Sequence, residues 1–225
     1  MGTTSKQRLL EQGVALLLRH GYSDLGVAAL LDATNLPKGS FYHHFSSKED
    51  FGLQVVDLYM KEVHAGLAVC LNDDEQPPLQ RIRRFFEISA EKYRTQGNLG
   101  CLLGGLGQEL SGISEVFRRR VEECFRLIED EIARCLSLAI ARGDLPAGAD
   151  PQAMAGLLVN CWEGAALRSR LRRDPAPLME MLGFYFGLVS APVEAAPSSQ
   201  SSTSRRGRSS QPVRSARLNS RGAKT

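Results

Sequence analysis

Cysteine is scarce in this chain of 225 residues, and the five present (Cys70, Cys101, Cys124, Cys135 and Cys161) are widely spaced with no CxxC pair. An odd, scattered set argues against a disulfide framework and a structural zinc site, so reduced cytoplasmic thiols are expected. Histidine is scarcer still: His20, His43, His44 and His64 all lie in the N-terminal third. There is no metal-spaced His/Cys group, no Ser-His-Asp set in a suggestive context and no phosphate-binding glycine loop. These absences argue against an enzyme, a metal centre or a bound cofactor. Long hydrophobic runs are missing too. No apolar stretch reaches the roughly 20 residues of a membrane span, and residues 3–8 open the chain with polar side chains rather than an export signal. The expectation is a cytoplasmic protein with no membrane partner, one or two domains and a sizeable core.

Acidic residues are almost missing from the C-terminal stretch. From Ala191 onward seven basic residues stand against Glu194 alone, a net +6 that leaves the body at −3 within the whole-chain charge of +3. Residues 191–225 are rich in Ser, Arg, Pro and Gly and nearly free of large apolar groups. They cannot bury enough surface to offset ordering, so they read as a disordered basic tail. Its charge either adds non-specific DNA affinity or only solubilises the chain. A mildly acidic body needs locally placed cations to hold a specific nucleic-acid site.

What is present is a compact run at residues 30–45, Leu-Leu-Asp-Ala-Thr-Asn-Leu-Pro-Lys-Gly-Ser-Phe-Tyr-His-His-Phe. It reads as a short apolar helix, a tight turn and a second short helix opened by proline, whose missing N–H is no loss at a first helical position. Asn35 suits the left-handed conformation that a sharp helix-to-helix turn requires. Phe41 and Phe45 are four apart and share one face, which should be buried. Lys38 with Tyr42, and Ser40 with His44, form two polar rows pointing the other way. A helix with an aromatic back and a small polar front fits the major groove of DNA.

This run, followed by Ser47-Lys48-Glu49, resembles the TetR family of helix-turn-helix repressors. The resemblance implies an all-α protein: an N-terminal three-helix helix-turn-helix head joined to a larger helical ligand-binding and dimerisation bundle. It also implies that Lys38, Gly39, Ser40 and His43 meet base edges while Tyr42, His44 and Lys48 hold phosphates. For His43 and His44 the alternative is a partly buried, internally satisfied ring. Lys48 is a cation at a helix N-terminus, against the dipole, and a nearby phosphate would account for it; a solvated lysine is the alternative. The bounds expected are 1–46 for the DNA-binding head, 47–190 for the bundle and 191–225 for the tail.

Periodicity places the remaining helices. The first runs from about Thr4 to His20 on a Leu10, Val14, Leu17 stripe, with Tyr22 and Leu25 packed beneath the turn. The second starts near Gly26 or Val27 without a side-chain cap, and Ala28 and Ala29 cannot reach a phosphate. A fourth, capped by Ser47, extends to about Leu71. Another covers Leu79 to Gln96. The glycine-rich run from Cys101 to Leu110 suggests close backbone approach or a pliable cavity wall. A long helix from Ser114 to Ala141 carries Val121, Cys124, Phe125, Ile128, Ile132, Cys135 and Leu136 inward. Two more run from Pro151 to Arg172 and from Pro177 to Val189. Their small residues Gly156, Gly164, Ala165, Gly183 and Gly187 make them candidates for a homodimer interface. Cys70, Cys124, Cys135 and Cys161 read as core residues.

Residues 98–102 (Asn-Leu-Gly-Cys-Leu), Gly107-Gln108-Glu109 and Trp162-Glu163-Gly164-Ala165 are similar to the TetR subgroup of acrylate- and N-ethylmaleimide-responsive repressors. The resemblance implies a small-molecule inducer that is an unsaturated acid or an electrophile. In electrophile-sensing relatives a cysteine matching Cys101 works with a lysine on the penultimate helix. Here that position is Arg170, or lies among Arg168, Arg170 and Arg172. Arginine keeps its charge and could lower a thiol pKa, but it is a poor partner for covalent chemistry with oxidised sulfur. Cys101 is therefore either a sensor or a small buried apolar residue. For a carboxylate inducer, Arg168 or Arg170 could supply the counter-charge and Tyr93 or Trp162 a wall; a solvated helix face is the alternative for both arginines. Glu163 is out of place in an apolar pocket unless paired. The leading expectation is a repressor binding a palindrome in double-stranded DNA, without catalytic activity. A non-specific DNA-binding protein using the tail, or an all-helical enzyme, are the competing classes.

Overall fold

A computed structural model describes residues 4–97 and 100–189, and all regular structure among them is helical. Asn98 and Leu99, like the tail at 191–225, lie outside the described residues. The helices are α1 (Ser5–His20), α2 (Val27–Thr34), α3 (Gly39–His44), α4 (Lys48–Leu71), α5 (Pro78–Thr95), α6 (Leu102–Leu110), α7 (Glu115–Arg142), α8 (Pro151–Arg172) and α9 (Ala176–Val189).

Local chemistry sets most of these ends. Thr4, Ser47, Ser114 and Asp150 cap α1, α4, α7 and α8 with side-chain oxygens that accept from first-turn backbone N–H groups. Gly26 caps α2 through backbone alone. Asn35 ends α2 in the left-handed region at φ 51°, and its geometry directs the chain into α3. Lys38 is already helical in its backbone, so the α3 turn begins directly after Pro37. At 24 residues, α4 is about 36 Å long and runs from the head into the bundle.

In the head, α1 buries Leu9, Leu10, Gly13, Leu17 and Leu18, while the expected stripe member Val14 is only half-buried. The α1–α4 crossing is close because a Cβ on Gly13 would meet Phe51 at 2.6 Å and Val55 at 2.8 Å. Tyr22 packs edge-on against Phe117 of α7, with ring centroids 5.2 Å apart, rather than only beneath the turn. In the bundle, α7 packs on α8, α8 on α9, and α5 bridges α4, α7 and α9. Arg81 is buried at the α4–α5 connection, where it donates to the carbonyls of Gln76 and Leu71 and pairs with Asp74. Three of the cysteines expected in the core are there: Cys70, Cys124 and Cys135. Cys161 is not. It is exposed, because α8 carries apolar residues on two sides and Cys161 is on the outward one.

Candidate functional site

The back of α3 is fixed by aromatic packing. Phe41 and Phe45 are 0% and 1% exposed, and both rings meet Phe51 of α4 at centroid distances of 5.4 and 5.0 Å. Two such anchors on so short a helix hold its orientation better than its own hydrogen bonds can. The opposite face is open. Lys38, Gly39, Tyr42 and His43 are exposed, Tyr42 at 69%, and a Cβ on Gly39 would meet nothing. Ser40 and His44 are half-buried, and His44 Nε2 lies 2.8 Å from Ser5 Oγ at the start of α1. Lys48 is also half-buried. Its Nζ stands 4.5 Å from the Tyr22 ring centroid and 3.4 Å from the Ser23 carbonyl, which holds the ammonium against the α1–α2 loop. Ser5 and Lys6 (whose Nζ stands 5.8 Å from the Phe45 ring centroid) join this surface from α1; no motif in the sequence marked them.

A second cluster centres on Cys101, the residue before α6. An aromatic-walled cavity of about 380 Å³ is lined by Tyr59, Phe85, Phe86, Tyr93 and Trp162, with Cys101 and Glu163 at one place and the Lys92–Glu62 pair at another supplying polar groups. Trp162 stacks between Phe86 (4.8 Å) and Tyr93 (5.8 Å). On the other side of Cys101 lies a more polar cavity of about 360 Å³, reached by His20, Glu109, Glu163 and Arg170. Cys101, Tyr93, Trp162 and Arg170 are thus brought together around two adjoining cavities. Arg168 is not among them. It faces a surface groove with Cys161, Gly164 and Phe184. Two residues apart on a helix lie on nearly opposite sides, so Arg168 and Arg170 cannot share a cavity.

The charge beside the thiol is the opposite of the one expected from arginine. Glu163 accepts a hydrogen bond from Cys101, and a Cβ on Gly104 would collide with the same carboxylate. Burial pushes the Glu163 carboxyl up to about 7, although that bond favours its charged form. Burial, then the Glu163 charge, drives the Cys101 thiol well above its usual range. Tyr59 donates to Cys101 Sγ across 3.8 Å. Arg170 Nη2 lies 3.5 Å from the Arg19 carbonyl at the end of α1.

At the far end of α6, Glu109 accepts from the backbone N–H groups of Tyr22 at 2.7 Å and Ser23 at 2.5 Å. Ser114 donates to Glu49 of α4, and Arg120 pairs with Asp57, adding further ties between α7 and α4. On the outer side of α8 and α9, Leu157, Leu171, Phe184 and Leu188 are each more than half exposed. A Cβ on Gly164, Gly183 or Gly187 would meet nothing within the chain.

Residues 9–55 match the family described as bacterial regulatory proteins, tetR family, and residues 78–183 match the tetracyclin repressor-like C-terminal domain. The chain is 33% identical over 184 residues to the HTH-type transcriptional repressor DhaR of Mycobacterium sp. strain GP1, covering 82% of this chain and 91% of that one. It is 37% identical over 173 residues to the transcriptional regulator AcuR of Cereibacter sphaeroides, covering 76% and 79%. Among solved structures, a regulatory protein TetR from Rhodobacter sphaeroides superimposes with a TM-score of 0.78 at 35% identity, covering 81% of this chain and 97% of that one. The reduced form of Escherichia coli NemR gives 0.75 at 27% identity, covering 85% and 100%. With both halves matched and relatives at this identity spanning most of its length, the protein belongs to the TetR family of transcriptional regulators, DNA-binding proteins and not enzymes.

Proposed function

We propose that this regulator is a cytoplasmic homodimeric repressor that reads a palindromic operator and is released when a small unsaturated acid or an electrophile enters the cavities at Cys101. The observation that carries the DNA half is the fixed back and open front of α3; on this reading Lys38, Gly39, Ser40 and His43 meet base edges and Tyr42, His44 and Lys48 hold phosphates. One such helix reads only a few base pairs. Two copies about 34–36 Å apart would read a palindrome. Residues 1–46 serve as the DNA-binding part, 47–190 as the ligand-binding and dimerising part, and the basic tail at 191–225 adds non-specific affinity. The partner copy docks on the exposed apolar faces of α8 and α9, whose bare glycines allow close backbone approach. Relatives named as repressors support the direction of regulation. Tyr93 and Trp162 form a wall for the effector, and Arg170 is the cation nearest a carboxylate in the polar cavity. Gel-shift titration against the DNA upstream of this coding sequence, with and without acrylate or N-ethylmaleimide, tests the reading. A shifted band abolished by either compound is expected. A band that neither compound weakens would remove the effector half while leaving the DNA half standing.

A further inference from the structure

We propose that Glu163 is the proton acceptor through which the Cys101 thiol adds to an uncharged α,β-unsaturated carbonyl compound held in the aromatic-walled cavity. The proposal rests on the sensor reading above and chooses between its two effector classes. A reactive cysteine ordinarily has a cation beside it to favour the thiolate. Here the group facing the thiol is a carboxylate: a Cβ added at Gly104 would collide with Glu163 Oε2 and lie 3.9 Å from Cys101 Cβ. Of the nearby cations, Lys92 is held by Glu62, Nζ to Oε2 2.6 Å, and Arg170 reaches toward the Arg19 carbonyl. A carboxylate cannot stabilise a thiolate, but it can take the S–H proton while the carbon–sulfur bond forms. With Lys92 neutralised by Glu62 and the rest of the lining mostly aromatic and aliphatic, the Glu163 charge disfavours an anionic ligand and leaves room for a neutral one.

The step balances without a co-reactant. Sγ forms a bond to the β-carbon, the π pair moves into the enolate, and the thiol proton passes to Glu163. The carboxyl then returns a proton to the α-carbon. S–H is added across C=C, nothing is oxidised or reduced, and the carboxylate is restored. Tyr59 O–H and the Gly104 backbone N–H both donate to Sγ, which steadies its direction. The other titratable groups sharing a cavity with Glu163, besides Cys101, are Tyr59, Glu62 and Cys70 on α4, Tyr93 and Lys92 on α5, Glu122 and Glu129 on α7, Arg170 on α8 and His20 on α1. Glu109 reaches the polar cavity as well, but is bonded to the α1–α2 loop.

The test uses the full-length protein carrying Cys161→Ser, so that the exposed thiol does not compete, and N-ethylmaleimide as probe. Adduct at Cys101 is followed by peptide mass mapping from pH 6 to 9, alongside operator release. The rate in this parent should rise through about pH 7 and then level off, following the carboxylate. Glu163→Gln should react at least tenfold more slowly at pH 7.5, and Glu163→Asp should keep part of the rate. An equal or faster rate in Glu163→Gln overturns the proposal, because removing a neighbouring negative charge would then simply have freed the thiolate. Should Glu163→Gln fail to fold, the parent profile decides: a rate still climbing tenfold per pH unit beyond pH 8 overturns the proposal. A parent that labels and releases DNA with an unchanged Glu163→Gln rate sinks the role of Glu163 alone. A parent that neither labels at Cys101 nor releases DNA sinks the sensor reading beneath it.

Discussion

Glu109 holds the backbone N–H of Tyr22 at 2.7 Å, so the helix that starts beside Cys101 ends by gripping the loop between α1 and α2. Burial alone would raise the Glu109 carboxyl, but the bonds from Ser23 and Tyr22 outweigh it and hold the group below the usual carboxylate value. A folded-state value lowered in this way stabilises the protein above the usual carboxylate range and loses that contribution as pH falls through the folded-state value. Glu109→Gln should therefore cost about 1.5–3 kcal/mol at pH 7, the range for hydrogen bonds to a charged group. The gap between parent and variant melts should close as pH falls below the ordinary carboxylate range and through the lowered folded-state value. Operator release by a given effector concentration should also weaken, since the loop is no longer tied to α6.

Glu163 works in the opposite direction. Its carboxyl is raised by burial to about 7, so the folded protein binds a proton that the unfolded chain has already lost. Stability then falls as pH rises from the ordinary carboxylate range to about 7 and is flat beyond it. Glu163→Gln removes that penalty. Thermal melts should show the variant gaining on the parent between pH 5 and 7, by up to about 3 kcal/mol. A constant difference across that interval would mean that the buried carboxyl does not titrate there.

Local patterns made the head readable in advance and long-range pairings hid the rest. Phe41 and Phe45 are one helical turn apart, Asn35 sits at the one position needing φ 51°, and Ser47 caps the helix it precedes. Each of these is written within a few residues. Cys101 and Glu163 are 62 positions apart, and Glu109 and Tyr22 are 87, so no spacing rule joins them. Glu163 could be flagged only as a charge in an apolar setting, without its partner. The outward position of Cys161 is not legible in the sequence, because α8 is apolar toward the core and again toward solvent, which erases the one-sided stripe that marks a buried face. The positions of Arg168 and Arg170 required the rotation of α8 to be known, and composition does not supply it.

Phe184 is 71% exposed on α9, beside bare Gly183 and Gly187. Because its side chain supports little of the core within one chain, Phe184→Asp should leave the monomer folded. A buried aromatic anchor at a subunit interface contributes about 2 kcal/mol or more. The dimer dissociation constant should rise by about thirtyfold or more in sedimentation equilibrium, and operator affinity should fall with it at low protein concentration. An unchanged dimer would place the interface elsewhere on the surface.

Lys48 separates grip from reading. Its Nζ lies over the Tyr22 ring and near the Ser23 carbonyl, a position from which it also reaches the outer surface of the head. Lys48→Met keeps the aliphatic stem against Tyr22 and removes the charge. If the lysine meets one phosphate, affinity for operator and unrelated duplexes should drop by a similar factor. The slope of log affinity against log salt should become shallower by about one. Titrations at four salt concentrations on both duplexes measure the two effects together. A loss confined to the operator would mean that Lys48 shapes the reading surface through the α1–α2 loop rather than through phosphate.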